Sequence, residues 1–516
     1  MAGPDFSAIR RTNESRGTND TRSKKRLGHA SILSKGDDVS IIRLFKQLDY
    51  FRLVTSSTIS EPRDMHVSSL TPKMCPSSPS RRTKTALLIA ASLGWFFGGM
   101  QILLTNLGMR AASLDLMDRA GMLDLTLFTE FIRRTPNLLD PELAQLNAWN
   151  TMVSQWYAWF QCSFLLGAAM GGYLFGQLGD RYGRTKMLGI SIVVFSGFTG
   201  LAWFAQSPLQ LLCVRFLACL GVGGAWPNGV ALVSEIWGDK ARPILGSAIG
   251  MAGNLGIFAM SSLAALYDVT PGSWRWVLLV NTTPVLLGWF IVLFLPESRG
   301  WKQLSKPEGS PPSPPPSVFR GNPLKLVLIG IALATVPLIG GWGSANWMMP
   351  WADEVGAQTG NQALKAHIGM ARSLTSILGS LFAGLLAVWM GRRRLYFLTS
   401  LGALMAAQYT FWMTTPSDAG FLIAAALLGL FNGLYFGWLP FYLPELFPTR
   451  IRATGAGVSF NFGRILTAGT IFATGALMSF FDGQYAHIGR ATSLIFCFGM
   501  ALALIAPDTR GRDMTK

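Results

Sequence analysis

From Ala86 to near the C-terminus, apolar runs of about 20 residues alternate with short polar, mostly basic segments. A helix rises about 1.5 Å per residue, so each run is long enough to cross a hydrocarbon core of ~30 Å. Twelve such runs are read, at roughly 85–106, 151–175, 187–206, 209–233, 244–267, 275–295, 323–343, 366–390, 395–414, 419–440, 454–480 and 489–507. In lipid, every backbone N–H and C=O has to be paired internally, and helices pair them within one segment. The pattern therefore predicts an all-α membrane protein with twelve transmembrane helices.

The polar punctuation repeats. Gly176-Gln-Leu-Gly-Asp180-Arg181-Tyr-Gly183-Arg184 returns 208 residues later as Gly384-Leu-Leu-Ala-Val388-Trp389-Met-Gly391-Arg392. Asn254-Leu-Gly256 returns as Asn461-Phe-Gly463, and Pro296-Glu297-Ser-Arg299-Gly300 as Pro507-Asp508-Thr-Arg510-Gly511. Glu235, seven residues before Arg242, is matched by Glu445, seven before Arg452. Four echoes in one order and at nearly one offset imply two copies of one unit, and parallel repeats are a common plan for membrane carriers. The expectation is two pseudo-symmetric six-helix bundles, 85–296 and 323–507. A Pro-rich linker, 297–322, containing Pro311-Pro-Ser-Pro-Pro-Pro316, joins them, and a short tail, 508–516, follows.

Charge sets the expected orientation. Of 44 Lys and Arg, 16 lie in residues 1–84 and 18 in the five loops and the tail that would share a side with both termini. The opposite side would hold seven, and three, Arg215, Arg372 and Arg464, fall within spans. By the positive-inside rule both termini are expected in the cytoplasm of a multi-pass cell-membrane protein. The net charge of +17 is thus a topology signal, and nucleic acid is not an expected partner. Residues 1–84 read as a basic cytoplasmic tail without a fold of its own, or as an extension ahead of a start at Met65 or Met74. The segment 106–150, with six acidic and four basic residues, reads as the longest outer loop and a small outer cap.

No metal or cofactor is expected. The five Cys and four His show no metal-ligand spacing, and no phosphate-cradling Gly-Lys motif or nucleophile constellation is visible, so the chain is not read as an enzyme.

These motifs, over about residues 85–510, resemble the major facilitator superfamily, with Pro444-Glu-Leu-Phe-Pro-Thr-Arg-Ile-Arg452 and Asn461-Phe-Gly-Arg464 closest in style to its sugar-porter and metabolite:proton (aromatic-acid) symporter branches. The resemblance implies alternating access, with two halves rocking about a central site. It also implies that Asp180 latches onto the start of span eleven near Ala453–Gly455 and that Arg184 pairs with Glu235 or Asp239. Arg181, Gly183, Arg215, Arg242, Glu445 and Arg452 join them as the conformational set. In proton-coupled relatives span one carries an acid; here Gly98 or Gln101 stands in its place, which argues against accumulation driven by protons.

A charge inside a span is costly and commonly functional. Arg464, near the middle of its span, is the leading solute contact. Asn461, Asn254, Gln101, Gln161, Trp95, Trp342 and Asn346 supply amides and rings around it. The expected function is a secondary active or facilitative transporter of a small polar organic solute. An anionic metabolite, such as an aromatic or other carboxylic acid, is placed ahead of a sugar. The alternative is a transporter-like solute sensor without net flux. The expected partners are the solute, the lipid bilayer and, as an open question, a co-transported proton; the expected state is a monomer.

Overall fold

The computed structural model describes residues 80–510 apart from 135–137, 239, 299–300, 303–316, 342–346, 360, 362–363 and 482–483. Most of the expected N-terminal tail and Pro-rich linker, together with Trp342, Asn346 and Asp239, lie outside the described residues.

The first half begins with α1 (Arg81–Arg119), whose N-terminus is capped by Ser80 accepting from the Thr83 amide at 3.2 Å. Next come α2 (Leu125–Arg134), α3 (Asp140–Tyr182), α4 (Arg184–Leu201), α5 (Pro208–Ile236) and α6 (Arg242–Leu266). A broken pair follows, α7 (Trp276–Thr282) and α8 (Val285–Phe294). Beyond it are α9 (Gly321–Ile339), α10 (Met348–Thr359), α11 (Leu364–Met390), α12 (Arg392–Met413), α13 (Ala419–Glu445) and α14 (Arg452–Phe480). A second broken pair, α15 (Tyr485–Ser493) and α16 (Ile495–Ile505), closes the chain. Ten helical stretches among the described residues are long and apolar enough to cross a membrane. Helices α12 and α14, with 22 and 29 residues, stand outside that set. Leu286, Phe294, Trp389, Met413 and Leu504 are among the large apolar side chains left on the outside, as lipid-facing positions should be.

Segment 106–150 is mostly helix rather than loop. Its polar residues end the apolar run without ending the helices: α1 continues to Arg119 and α3 starts at Asp140, at 39 and 43 residues. Both are about twice as long as a bilayer core requires. The C-terminal end of α1 and the N-terminal end of α3 enclose a separate apolar cluster with α2, in which Phe131 stacks on Trp149 at 5.9 Å. Asp115 ties this extension to the rest by accepting from Trp274 Nε1 at 3.0 Å and pairing with Arg119 and Arg275 at 2.9 and 2.7 Å.

Small residues let the helices touch backbone to backbone. A Cβ on Gly171 of α3 would meet the Leu220 carbonyl oxygen of α5 at 1.9 Å, and one on Gly223 of α5 would meet Ala168 O of α3 at 2.0 Å. Reciprocal glycines thus set the α3–α5 crossing, the close approach that membrane helices use when no hydrophobic effect drives them together. Across the repeats, α14 packs on α3, and α6 packs on α11 and α13; within them, α14 packs on α9 and α6 on α1.

Candidate functional site

At the basic end of the bundle the two repeats exchange charges. The turn between α3 and α4 needs a glycine: Gly183 has φ +114° and its echo Gly391 has φ +94°. This turn presents Asp180 to the first residues of α14, where it accepts from the Ala453 amide at 3.2 Å, the Thr454 amide at 2.8 Å and Thr454 Oγ1 at 2.5 Å. The free N–H groups and positive dipole at a helix start favour such an anion. Arg184, wholly buried, pairs with Asp180 at 2.7 Å and Glu235 at 3.0 Å and donates to the Thr449 carbonyl at 2.5 Å. Glu297 accepts from the Thr185 amide at 3.0 Å, closing the start of α4.

The second repeat does the same with different parts. Glu445 pairs with Arg392 at 3.2 Å and accepts from Thr509 at 2.5 Å, while the positions of Asp180 and Arg181 are taken by Val388 and Trp389, both exposed. The arginine that follows each glutamate reaches the other repeat: Arg452 lies 3.7 Å from Glu235, and Arg242 3.9 Å from Glu445. Arg181 takes no part; it is exposed, 5.2 Å over the Tyr182 ring.

Deeper in the bundle lies a cavity of about 230 Å³. Its walls come from both repeats: Trp95 and Asn106 on α1, Phe164 on α3, Asn254 on α6, Arg372 on α11, Asn432 and Phe436 on α13, and Phe460 and Arg464 on α14. No Asp, Glu or His is among the described residues that line it. Arg464 is 3% exposed, and its guanidinium sits 5.2 Å over Phe164 and 5.1 Å over Phe460. Its Nη1 finds no hydrogen-bond acceptor among the described residues. A buried donor without an acceptor is costly, and a buried charge more so, which makes this the point where an incoming anion gains most. Below Arg464, Phe460 stacks on Trp226 of α5 at 4.1 Å, with Trp95 edge-on at 6.3 Å. Asn254 donates to Ser380 Oγ at 2.8 Å and so joins α6 to α11 beside the cavity.

Of the solute contacts expected from sequence, the structure places Trp95, Asn254 and Arg464 on the cavity wall. Gln101 is elsewhere: it is fully buried, donating to Thr199 at 3.0 Å and accepting from Arg215 Nη1 at 3.1 Å. Arg215 completes this polar knot through Thr105 at 3.0 Å and stays inside the first repeat. Asn461 is off the cavity wall, its Nδ2 donating to Gly457 O at 3.0 Å and Gly223 O at 3.4 Å where α14 crosses α5, while its buried Oδ1 has no partner among the described residues. Gln161 stands behind the wall, donating to Asn106 Oδ1 at 2.8 Å. Sequence reading passed over Asn106, Asn432, Phe164, Phe436 and Phe460. The asparagines carried a usable signal, being amides within otherwise apolar helices; the phenylalanines carried none among the chain's 33.

Residues 85–469 match the family described as Major Facilitator Superfamily. A metabolite transport protein of Haemophilus influenzae is 28% identical over 359 residues, covering 68% of this chain and 86% of its own. The cis,cis-muconate transport protein of Acinetobacter baylyi is 27% identical, covering 58% and 73%. Among solved structures, the proton:xylose symporter XylE superposes with a TM-score of 0.62 at 17% identity, over 84% of this chain and 98% of that one, a likeness of fold. With a family match spanning most of the helical chain, and described residues that are helical and wall a cavity from both sequence repeats, the protein belongs to the major facilitator superfamily of membrane transporters.

Proposed function

We propose that the protein carries a small organic anion, a carboxylate-bearing metabolite ahead of a sugar, across the cell membrane by alternating access. The observation that carries this reading is Arg464, a buried cation with an unsatisfied donor in a cavity whose described lining has no carboxylate to neutralise it. The relative named for muconate, itself a carboxylate, supports the same class. In this account α12 and α14 also span the bilayer and, with the ten apolar stretches, make twelve spans in two six-helix bundles, 85–296 and 323–507. Both termini face the cytoplasm and the monomer is the working unit. The charge exchange at the basic end holds the inner side shut. The solute then reaches Arg464 from the outer side, and rocking of the halves breaks the exchange and opens the inner side.

Coupling to protons needs a group that titrates within the pathway. With Gln101 holding Arg215 and no acid along the described cavity wall, facilitated transport is the reading favoured here. Proteoliposome uptake tests it. Radiolabelled carboxylic acids should equilibrate and sugars should be excluded, and an imposed pH gradient should produce no accumulation above equilibrium. Uptake of sugars alone would reject the anion reading, and accumulation would reject facilitation. Saturable binding without any flux would identify the sensor alternative instead.

A further inference from the structure

Arg464 shares the described cavity wall with a second cation. Arg372, half-buried on α11, lines the same space. With no Asp, Glu or His among the described lining residues, that wall carries two positive charges and no negative one. The first repeat meets the same two positions without charge. The offset of 208 that links Gly384 to Gly176 takes Arg372 to Phe164 on α3. The offset of 207 that links Asn461 to Asn254 takes Arg464 to Ile257 on α6. All four residues line the cavity. Equivalent wall positions thus hold a ring and an aliphatic chain in one repeat and two guanidiniums in the other. Charge within a span is costly and commonly functional, and here two charges border one space.

The two arginines enter at similar depth. Arg464 is twelve residues beyond Arg452 at the basic end of α14, a rise of about 18 Å. Arg372 sets its backbone against Gly429 of α13, which lies sixteen residues, about 24 Å, before Glu445 at that same end. Both α11 and α14 pack on α13. The space they border, about 230 Å³, suits a small molecule.

We infer that the cavity takes a small dicarboxylate, with one carboxylate at Arg464, the other at Arg372, and the apolar body against Phe164 and Ile257. A guanidinium fork matches a carboxylate in shape and charge. A dianion brings the charge of the described wall to zero. A monoanion leaves one cation uncompensated, and a neutral sugar leaves both. An uncompensated charge is expensive where water is excluded, so the second carboxylate is a requirement of the closed cavity. This rests on the anion reading of Arg464 and adds to it a second charge on the solute.

The test uses the full chain in detergent or nanodiscs and acids matched in shape: succinate with butyrate, adipate with hexanoate, and terephthalate with 4-methylbenzoate, titrated by calorimetry. In at least one pair the wild type should bind the diacid at least about tenfold more tightly than its partner, the gain carried by one charge-assisted hydrogen bond. Arg372→Gln should bring that ratio close to one by weakening the diacid. Arg372→Lys, which keeps the charge, should retain most of the preference. Equal binding within every pair, weakened by Arg464→Gln, would overturn the dicarboxylate inference and leave the anion reading standing. A diacid preference unchanged in Arg372→Gln would also overturn it. Loss of all binding in both Arg372 variants, with a lowered melting midpoint, would assign Arg372 to the fold and overturn it too. No binding of any of the six acids to the wild type would remove the anion reading, and this inference with it.

Discussion

Asp180, at the end of α3, accepts the backbone N–H groups of Ala453 and Thr454 at the start of α14, at 3.2 and 2.8 Å. One carboxylate of the first repeat thereby holds the helix of the second repeat that carries Arg464. Replacing Asp180 with Asn keeps the shape and removes the charge from a helix N-terminus and from Arg184, 2.7 Å away. The closure proposed for the basic end should loosen. A cysteine placed at Thr449 should be alkylated from the basic side several-fold faster in Asp180→Asn than in an otherwise identical control, with transport reduced. Unchanged labelling would show that the contact does not hold the inner side.

The crossed pairs are nearly symmetric, so their energies should be too. Glu445→Gln leaves Arg392 and Arg242 without their shared carboxylate, and removing one partner of a buried ion pair costs about 3–5 kcal/mol. Thermal unfolding should show a clear drop in midpoint. The double variant Glu445→Gln/Arg242→Gln should recover part of it, because one buried cation then goes with its counter-charge. Additive losses would mean that Arg242 and Glu445, 3.9 Å apart, do not interact energetically.

Gly171 has no room for a side chain at the α3–α5 crossing, since an added Cβ would lie 1.9 Å from the backbone oxygen of Leu220. Gly171→Ala should separate the helices and destabilise the fold by about 1–3 kcal/mol, seen as a lower melting midpoint and poorer yield. Gly197, where an added Cβ meets nothing within 4 Å, is the matched control and should tolerate alanine.

The Gln101–Arg215 contact at 3.1 Å makes a prediction about pH. Wild-type uptake should not follow a pH gradient. Gln101→Glu places a titratable carboxyl against Arg215, and uptake should become pH-dependent, measured as the ratio of initial rates with and without the gradient. A strong gradient dependence in the wild type, lost in Arg215→Gln, would mean that this knot carries the coupling as it stands.

How much of this could be read from the chain depended on what kind of signal each part leaves. The apolar runs and the echoed loops marked most helices, because a membrane demands both length and hydrophobicity. They located α1 and α3 but not their ends, since Asp115 and Asp140 interrupt hydropathy without interrupting backbone hydrogen bonding. The Asp180, Arg184 and Glu235 positions were visible as motif residues; that Arg242 and Arg452 each reach the opposite repeat was not, because the sequence lists neighbours along the chain and not across it. The cavity was the least legible part. Arg464 stood out as a charge among apolar residues. Asn461 stood out equally but lies off the cavity wall, its Nδ2 donating to the Gly457 and Gly223 carbonyls, whereas Asn106, an amide in an equally apolar stretch, faces the cavity. Composition gives the same mark to an amide that fixes a helix crossing and to one that meets a solute.

The account stands on Arg464. Binding of a carboxylate to the purified full chain, measured by calorimetry for wild type and Arg464→Gln, tests it most directly. A charge-assisted hydrogen bond contributes about 1.5–3 kcal/mol, so affinity should fall by about 10- to 100-fold, with the melting midpoint of the unliganded protein held or raised because an unpaired buried cation has been removed. Unchanged carboxylate affinity in a variant that melts like the wild type would contradict it.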